Sequence, residues 1–209
     1  MLYVWSRFVR VSHWLLVAAF STAFITRDSF WHADIHVMAG YAAGYLLLGR
    51  IVWGFAAKGY SHFSKFPFRP AEGVRYAWLT LTGRAKRFIG HNPAGSLVIY
   101  GMLATGLLTV GTGLVKFNDA YLPDYVPDFG AVHGVLAWSW LALVVTHISG
   151  VIVESLLHRE NLVKSMITGF KQRHLHAGEG KTLPIRKWYR ALFRAGSRVL
   201  IVFRKMRSN

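Results

Sequence analysis

Four of the ten histidines lie inside long apolar stretches, where an ionisable side chain is costly and is therefore a candidate for chemistry. They are His13, His36, His133 and His147. Imidazole binds metal ions and haem iron and carries protons. The sequence has no cysteine, which excludes disulfides, iron–sulfur clusters and covalently attached haem. The four histidines are the candidate ligands of a metal or a non-covalent haem.

The spacing of the last two histidines restricts what they can bind. His133 and His147 are 14 residues apart, which is about 3.9 turns of an α-helix, so both side chains point to nearly the same face. Along the helix axis they are about 21 Å apart. Each therefore needs a partner from another helix at its own depth.

The elements that carry these residues are long and apolar, as expected of a chain that is 53% hydrophobic. A membrane-spanning helix needs about 20 mostly apolar residues. Four segments qualify: about Val11–Thr26, Ile35–Ala57, Ala94–Val115 and Gly130–Leu157. We therefore predict an all-α fold, an integral membrane four-helix bundle, with residues 1–173 as the membrane domain.

The basic residues indicate the orientation of the bundle. Of the 25 lysines and arginines, only Arg27 and Lys116 lie in the segments that join spans one to two and three to four. Those segments hold five aspartates: Asp28, Asp34, Asp119, Asp124 and Asp128. Since basic segments stay in the cytoplasm, both termini are predicted to be cytoplasmic. The net charge of +16 then indicates attraction to anionic membrane lipid rather than to nucleic acid.

This orientation pairs the histidines by depth. His13 lies at the start of span one and His147 towards the end of span four, and both are near the inner side. His36 and His133 both lie near the outer side. A haem iron takes two axial imidazoles from facing helices, whereas zinc requires three or four ligands at one height. The pattern predicts two haem b groups, with His13 and His147 on the inner iron and His36 and His133 on the outer iron.

Glycines and arginines near the histidines are candidate cofactor-binding residues. Gly40 and Gly44 follow His36 by one and two turns and leave a strip free of side chains, which suits either a porphyrin or close helix packing. Arg10 and Arg50 are placed to pair with the propionates of the inner haem or with lipid phosphate.

Several polar residues leave alternatives open. His32, one turn before His36, is its rival as a ligand. Glu154 is expected to form an ion pair, for which Arg50 is a candidate, or to relay a proton to a quinone. His91 precedes the predicted start of span three at Asn92 and Pro93, where capping or an interface position is favoured over a quinone or proton role. The remaining histidines among charged residues are expected to be solvated: His62, His158, His174 and His176.

The C-terminal segment, residues 174–209, is predicted to be a basic cytoplasmic tail. Within it Ile185–Arg207 places Trp188, Leu192 and Phe193 near one face among arginines. This pattern is typical of an amphipathic helix lying on the membrane surface.

In its order of motifs the sequence resembles the bacterial cytochrome b561 superfamily, in particular the branch of the cytochrome b subunits of nickel–iron hydrogenases. The similar stretches, together with the two histidines of span four, are Trp5–Trp14, His36–Tyr41, Arg50–Phe55, Gly90–Gly95 and His158–Lys171. The resemblance covers about residues 3–173. It implies an electron carrier of the bacterial inner membrane between the quinone pool and a periplasmic c-type cytochrome, hydrogenase or other dehydrogenase.

Two other classes of function stay open on the sequence alone. One is an oxidoreductase acting on superoxide or another small molecule together with quinone, although the acidic outer segments argue against an anionic substrate. The other is a non-redox transporter that uses its histidines as proton relays. A homo-oligomer is compatible with either reading.

Overall fold

The computed structural model describes residues 1–65, 68–118 and 129–172. Within them six α-helices follow one another: α1 (Arg7–Thr26), α2 (Ala33–Ala56), α3 (Pro70–Leu81), α4 (Pro93–Phe117), α5 (Gly130–His158) and α6 (Leu162–Thr168). Two short strands, β1 (Leu2–Tyr3) and β2 (Phe170–Lys171), flank the series. Single turns of 3₁₀-helix occur at Phe30–His32, Gly59–Ser61 and Phe63–Lys65.

Four of these elements are long and apolar enough to cross a membrane: α1, α2 with the 3₁₀ turn before it, α4 and α5. The four predicted spans are thus confirmed within a few residues at each end. Large apolar side chains on their outer faces are exposed, as lipid-facing residues must be, including Leu48, Val52, Leu108, Val145 and Ile152. The predicted amphipathic helix at Ile185–Arg207 lies outside the described residues.

Capping residues explain where the helices begin. Ser6 accepts a hydrogen bond from the Val9 amide at the start of α1. Asn92 accepts one from the Gly95 amide with Pro93 in the first turn of α4, which confirms the helix start predicted there. Asn161 caps α6 in the same way through the Lys164 amide.

The spans pack unevenly around a small central core. The most extensive packing joins α1 to α2 and α4 to α5, while α2 also packs on α4. The buried core consists of Ala43 and Leu47 of α2, Leu103 of α4 and Trp140 of α5. Helix α3 lies against α4, so the segment between spans two and three is partly a packed helix rather than only a surface loop.

The two ends of the described chain meet. Leu2 pairs with Lys171 and Tyr3 with Phe170 in an antiparallel ladder. The sequence did not predict it, because strands of two residues are too short to show a periodicity. The turn before β2 requires Gly169, whose φ is 89° and where a Cβ would lie 2.9 Å from the Tyr3 ring. Four spans bring both ends to one side, which we call the β1–β2 end of the bundle.

Candidate functional site

At the β1–β2 end, His13 of α1 faces His147 of α5. Their ring centroids are 6.5 Å apart and their planes are inclined by 58°. Both side chains are partly buried. The Nδ1 atom of His13 is buried and has no hydrogen-bond partner among the described residues. The structure therefore brings together the first of the two predicted pairs.

At the opposite end, His36 of α2 faces His133 of α5. The ring centroids are 6.1 Å apart and the planes are nearly perpendicular. The Nδ1 atom of His36 lies 2.7 Å from the carbonyl oxygen of Ala23, and that of His133 lies 2.9 Å from the carbonyl oxygen of Thr109. A carbonyl only accepts, so each Nδ1 carries the proton and donates it, which leaves Nε2 as the nitrogen free to bind a metal.

Both separations fit one iron between two imidazoles. A metal–imidazole bond of about 2 Å and about 1 Å from nitrogen to ring centre place two opposed rings about 6 Å apart. Among the described residues, no three His, Cys, Asp or Glu side chains are positioned to share a metal ion. Two imidazoles alone do not complete an iron site, and the four nitrogens of a porphyrin supply the remaining ligands. The donor sets thus suit haem and not a bare zinc site.

The rival histidine is placed differently. His32 ends the 3₁₀ turn before α2, is exposed, and its Nδ1 lies 2.7 Å from the hydroxyl oxygen of Ser29. The turn separates His32 from the helix face that carries His36. It is therefore His36 that lies against His133.

The glycines near the histidines have different surroundings. A Cβ on Gly40 would meet no atom within 4 Å, so this position borders open space. A Cβ on Gly44 would lie 3.0 Å from Val110, so close packing of α2 on α4 accounts for its size. At Gly113 of α4 a Cβ would lie 2.9 Å from the His133 ring, and this residue therefore leaves room for the imidazole.

An aromatic layer lies between the two histidine pairs. Trp140 is seven residues from both His133 and His147 on α5 and is buried, and Phe20 is seven residues after His13 on α1. Their rings meet at 4.8 Å with an interplanar angle of 70°. Because seven residues are almost two turns, both rings lie on the faces that carry the histidines.

The two predicted arginines lie towards the β1–β2 end. Arg10 donates a hydrogen bond through Nη1 to the carbonyl oxygen of Ile167 in α6. The guanidinium carbon of Arg50 lies 5.5 Å from the centre of the Phe63 ring, in cation–π range. Both guanidinium groups are therefore held by contacts within the protein.

Glu154 has partners that the sequence did not indicate. Its carboxylate accepts hydrogen bonds from Thr80 at 2.9 Å and from Tyr76 at 3.3 Å, both in α3. The Nε2 atom of His158 lies 3.1 Å away, so the solvated position expected for His158 is wrong. Burial and the nearby Glu154 carboxylate raise the pKa of Tyr76 above its ordinary value. Glu154 thus connects α5 to α3.

His91 packs against the N-terminal segment. Its ring lies 4.6 Å from that of Trp5, and the Lys171 ammonium lies 5.9 Å from the same indole. Burial, and after it the charges of neighbouring Arg50, Lys171 and His147, lower the pKa of His91 well below its ordinary value. His91 is therefore neutral at physiological pH.

Four apolar helices that present two facing pairs of imidazoles define a class of protein, the membrane-bound b-type cytochromes. The chain belongs to the prokaryotic cytochrome b561 family, whose model matches residues 4–169. It is accordingly a multi-pass membrane protein that binds haem b and takes part in electron transfer. No solved structure matches the chain.

Curated relatives are similar over most of their length. A probable Ni/Fe-hydrogenase B-type cytochrome subunit from Azotobacter vinelandii is 26% identical over 65% of this chain and 66% of its own length. One from Cupriavidus necator is 23% identical over 81% of this chain and 86% of its own. The probable Ni/Fe-hydrogenase 1 B-type cytochrome subunit of Escherichia coli is 24% identical over 81% and 90%. The hydrogenase branch indicated by the sequence motifs is thus confirmed.

Two features of the site were not predicted. The position of Trp140 between the two pairs could have been predicted, because it lies halfway between two histidines on one helix face. The partners of Glu154 could not readily be predicted, because Tyr76 and Thr80 come from a segment 74 or more residues earlier.

Proposed function

We propose that this chain is a di-haem cytochrome that transfers electrons between the quinone pool and a redox protein on the periplasmic side of the bacterial inner membrane. His13 and His147 hold the inner haem b, and His36 and His133 hold the outer one. Both termini are cytoplasmic in this proposal, so the β1–β2 end is the inner end.

One observation carries the proposal: the same helix, α5, faces two other spans with one histidine each, at ring separations of 6.5 and 6.1 Å. Two separate metal ions of another kind would need further protein ligands at each level, and the described residues supply none. A transporter that relays protons through histidines would not need two pairs at the separation that an iron requires.

Haem b supplies one-electron chemistry at its iron when it is bound. The residues of the chain hold and orient it. The carbonyl groups of Ala23 and Thr109 fix the tautomer and the ring orientation of His36 and His133, as outer-shell partners do at metal sites. The buried Nδ1 of His13 has no such partner among the described residues, so the two sites differ in how firmly they hold their ligands.

The names of the curated relatives support a nickel–iron hydrogenase as the periplasmic partner. Electrons from hydrogen oxidation would then enter at the outer pair and leave to quinone from the inner pair. The basic residues at the β1–β2 end support its cytoplasmic position, since positive charge is retained inside.

The number of haems is tested with detergent-purified protein. We expect two haem b per chain by haem extraction and by the dithionite-reduced spectrum. His147→Ala and His36→Ala should each leave one, while the matched control His32→Ala should leave two. A colourless wild-type protein would disprove the cytochrome, and a full complement in His36→Ala would disprove this ligand assignment.

The partner is tested in native membranes. If it is a hydrogenase, hydrogen gas should reduce the cytochrome, and inactivation of the hydrogenase should abolish this reduction while formate or succinate still reduces it. If hydrogen still reduced the cytochrome after the hydrogenase had been inactivated, the donor would be another protein that acts through the quinone pool.

A further inference from the structure

A groove of about 480 Å³ lies at the β1–β2 end, outside both histidine pairs. Its walls come from the first turns of α1 and from α6, and they include Arg7, Arg10, Trp14, Leu15 and Ile167. The size is within the range of small-molecule sites in proteins. The apolar side chains of the groove are exposed, Leu15 by 52% and Ile167 by 59%. The groove therefore opens to whatever surrounds the bundle, which at this height is the edge of the bilayer.

Charge and apolar surface are separated along the groove. Arg7 and Arg10 stand three residues apart on one side of the first turn of α1. Leu15 follows further into the span, and Ile167 of α6 lies beside Arg10. None of the described residues that line the groove is acidic. The groove thus offers two positive charges at headgroup height and an apolar wall below them, with Trp14 at the level where indoles favour the interface.

One of the two charges is fixed in place. Arg10 donates through Nη1 to the carbonyl oxygen of Ile167, which ties α6 to α1 at the groove. A guanidinium that is already held loses less conformational freedom when it binds an anion. Arg10 is thus positioned in advance for an anion that enters the groove.

We propose that this groove is a binding site for one anionic phospholipid, whose phosphate lies between Arg7 and Arg10 and whose acyl chain follows Leu15 and Ile167. An isoprenoid quinone fits the apolar wall equally well, but its neutral ring leaves two arginines without a counter-charge. The phosphate diester and acyl chain of a lipid match both parts. The proposal does not depend on the haems or on the electron-transfer partner.

The test compares lipid retention by the full chain in detergent, using native mass spectrometry with added phosphatidylglycerol or phosphatidylcholine. We expect one tightly retained phosphatidylglycerol and a preference over phosphatidylcholine. Each arginine near anionic lipid contributes about a fivefold effect, so Arg7→Gln should weaken retention about fivefold and Arg7→Gln with Arg10→Gln about 25-fold. The matched controls are Arg75→Gln and Lys58→Gln, which remove exposed charges outside the groove.

Several results would overturn the proposal. One is equal retention of the two lipids. Another is an equal loss in the groove variants and the controls, which would indicate diffuse surface attraction. The third is a quinone in place of phospholipid in the solvent extract of the purified protein. The reduced haem spectrum of each variant is recorded alongside, so that a loss of haem is distinguished from a loss of lipid.

Discussion

Trp140 meets Phe20 edge to face midway between the two histidine pairs, with 4.8 Å between ring centroids. All four spans reach this level, because Leu47 of α2 and Gly106 of α4 lie against the same indole. At the histidine levels the spans instead leave their facing imidazoles about 6 Å apart. The bundle is therefore held at its centre, and the candidate haem sites lie on either side of that contact.

The first prediction concerns Gly106, which lies against the Trp140 indole. A Cβ on Gly106 would lie 2.8 Å from Trp140 and 3.0 Å from Leu47. Overpacking of this kind costs about 1–3 kcal/mol, so Gly106→Ala should lower the thermal unfolding midpoint in detergent by about 3–9 °C. Gly111→Ala, on the same helix with no atom within 4 Å of the added Cβ, is the control and should change it little. Equal midpoints for the two variants would contradict the packing argument.

A second prediction separates the two sites. In Gly113→Ala the added Cβ would lie 2.9 Å from Cε1 and 3.1 Å from Nδ1 of His133. The ring must move, and its hydrogen bond to the Thr109 carbonyl is then lost. Haem content should fall from two towards one per chain, with the remaining haem being the one that His147→Ala removes. Gly111→Ala should keep two, and a normal haem content in Gly113→Ala would show that the ring has room to shift.

How far the sequence predicts this molecule depends on the element. Hydropathy and the 14-residue spacing were sufficient for the four spans and for the depth of each histidine, because these depend on helix geometry alone. The sequence favoured His36 over His32 because His36 lies deeper in the span and precedes Gly40 and Gly44. The 3₁₀ turn that holds His32 apart from that helix face is not revealed by any simple periodicity. The bonds of Glu154 to α3 join residues far apart in the chain, and only the folded packing brings Tyr76 and Thr80 to that carboxylate.

A third prediction follows from the pKa of His91. It is lowered in the fold mainly by burial, so the unfolded chain binds a proton more readily. The stability that this group contributes is complete above the unfolded pKa of about 6.5 and is lost as the pH falls below it. Between pH 7.5 and 5.5 the unfolding midpoint should fall, and His91→Gln should reduce that fall.

The slope that one proton can produce is at most about 1.4 kcal/mol per pH unit. Burial also lowers the pKa of Lys171 from its ordinary value of 10.5. Because Lys171 is unchanged in His91→Gln, the difference between the two proteins reports on His91. An unchanged slope in His91→Gln would assign the acid sensitivity to other histidines.

A fourth prediction compares two ion pairs. Arg87 donates to Glu160 through Nε at 3.1 Å and Nη2 at 2.8 Å, and the Glu160 side chain is only 5% exposed. Removal of one partner of a buried pair costs about 3–5 kcal/mol, so Arg87→Leu should lower the unfolding midpoint by about 6–15 °C. The exposed pair of Arg69 with Glu72 is the control, and Arg69→Leu should change the midpoint by no more than about 2 °C.

The double variant Arg87→Leu with Glu160→Leu tests the reason for the effect. Since it leaves no unpaired carboxylate, it should recover part of the lost stability. The recovery should be incomplete, because the buried ammonium of Lys171 loses the nearby Glu160 charge. If the double variant were as unstable as the sum of the two single changes, the cost would come from packing and not from an unpaired carboxylate.

The pairing of β1 with β2 has a consequence for the order in which the chain is completed during synthesis. Tyr3 leaves the ribosome about 10–30 s before Phe170, its partner in the ladder, at ordinary rates of translation. The interval between the synthesis of His13 and that of His147 is almost as long, and His36 is likewise made before its partner His133. During that interval the first span can pack on α2 but not on α5, and a nascent chain halted before residue 130 contains no complete histidine pair. The earliest residues to be made are thus among the last to reach their native contacts.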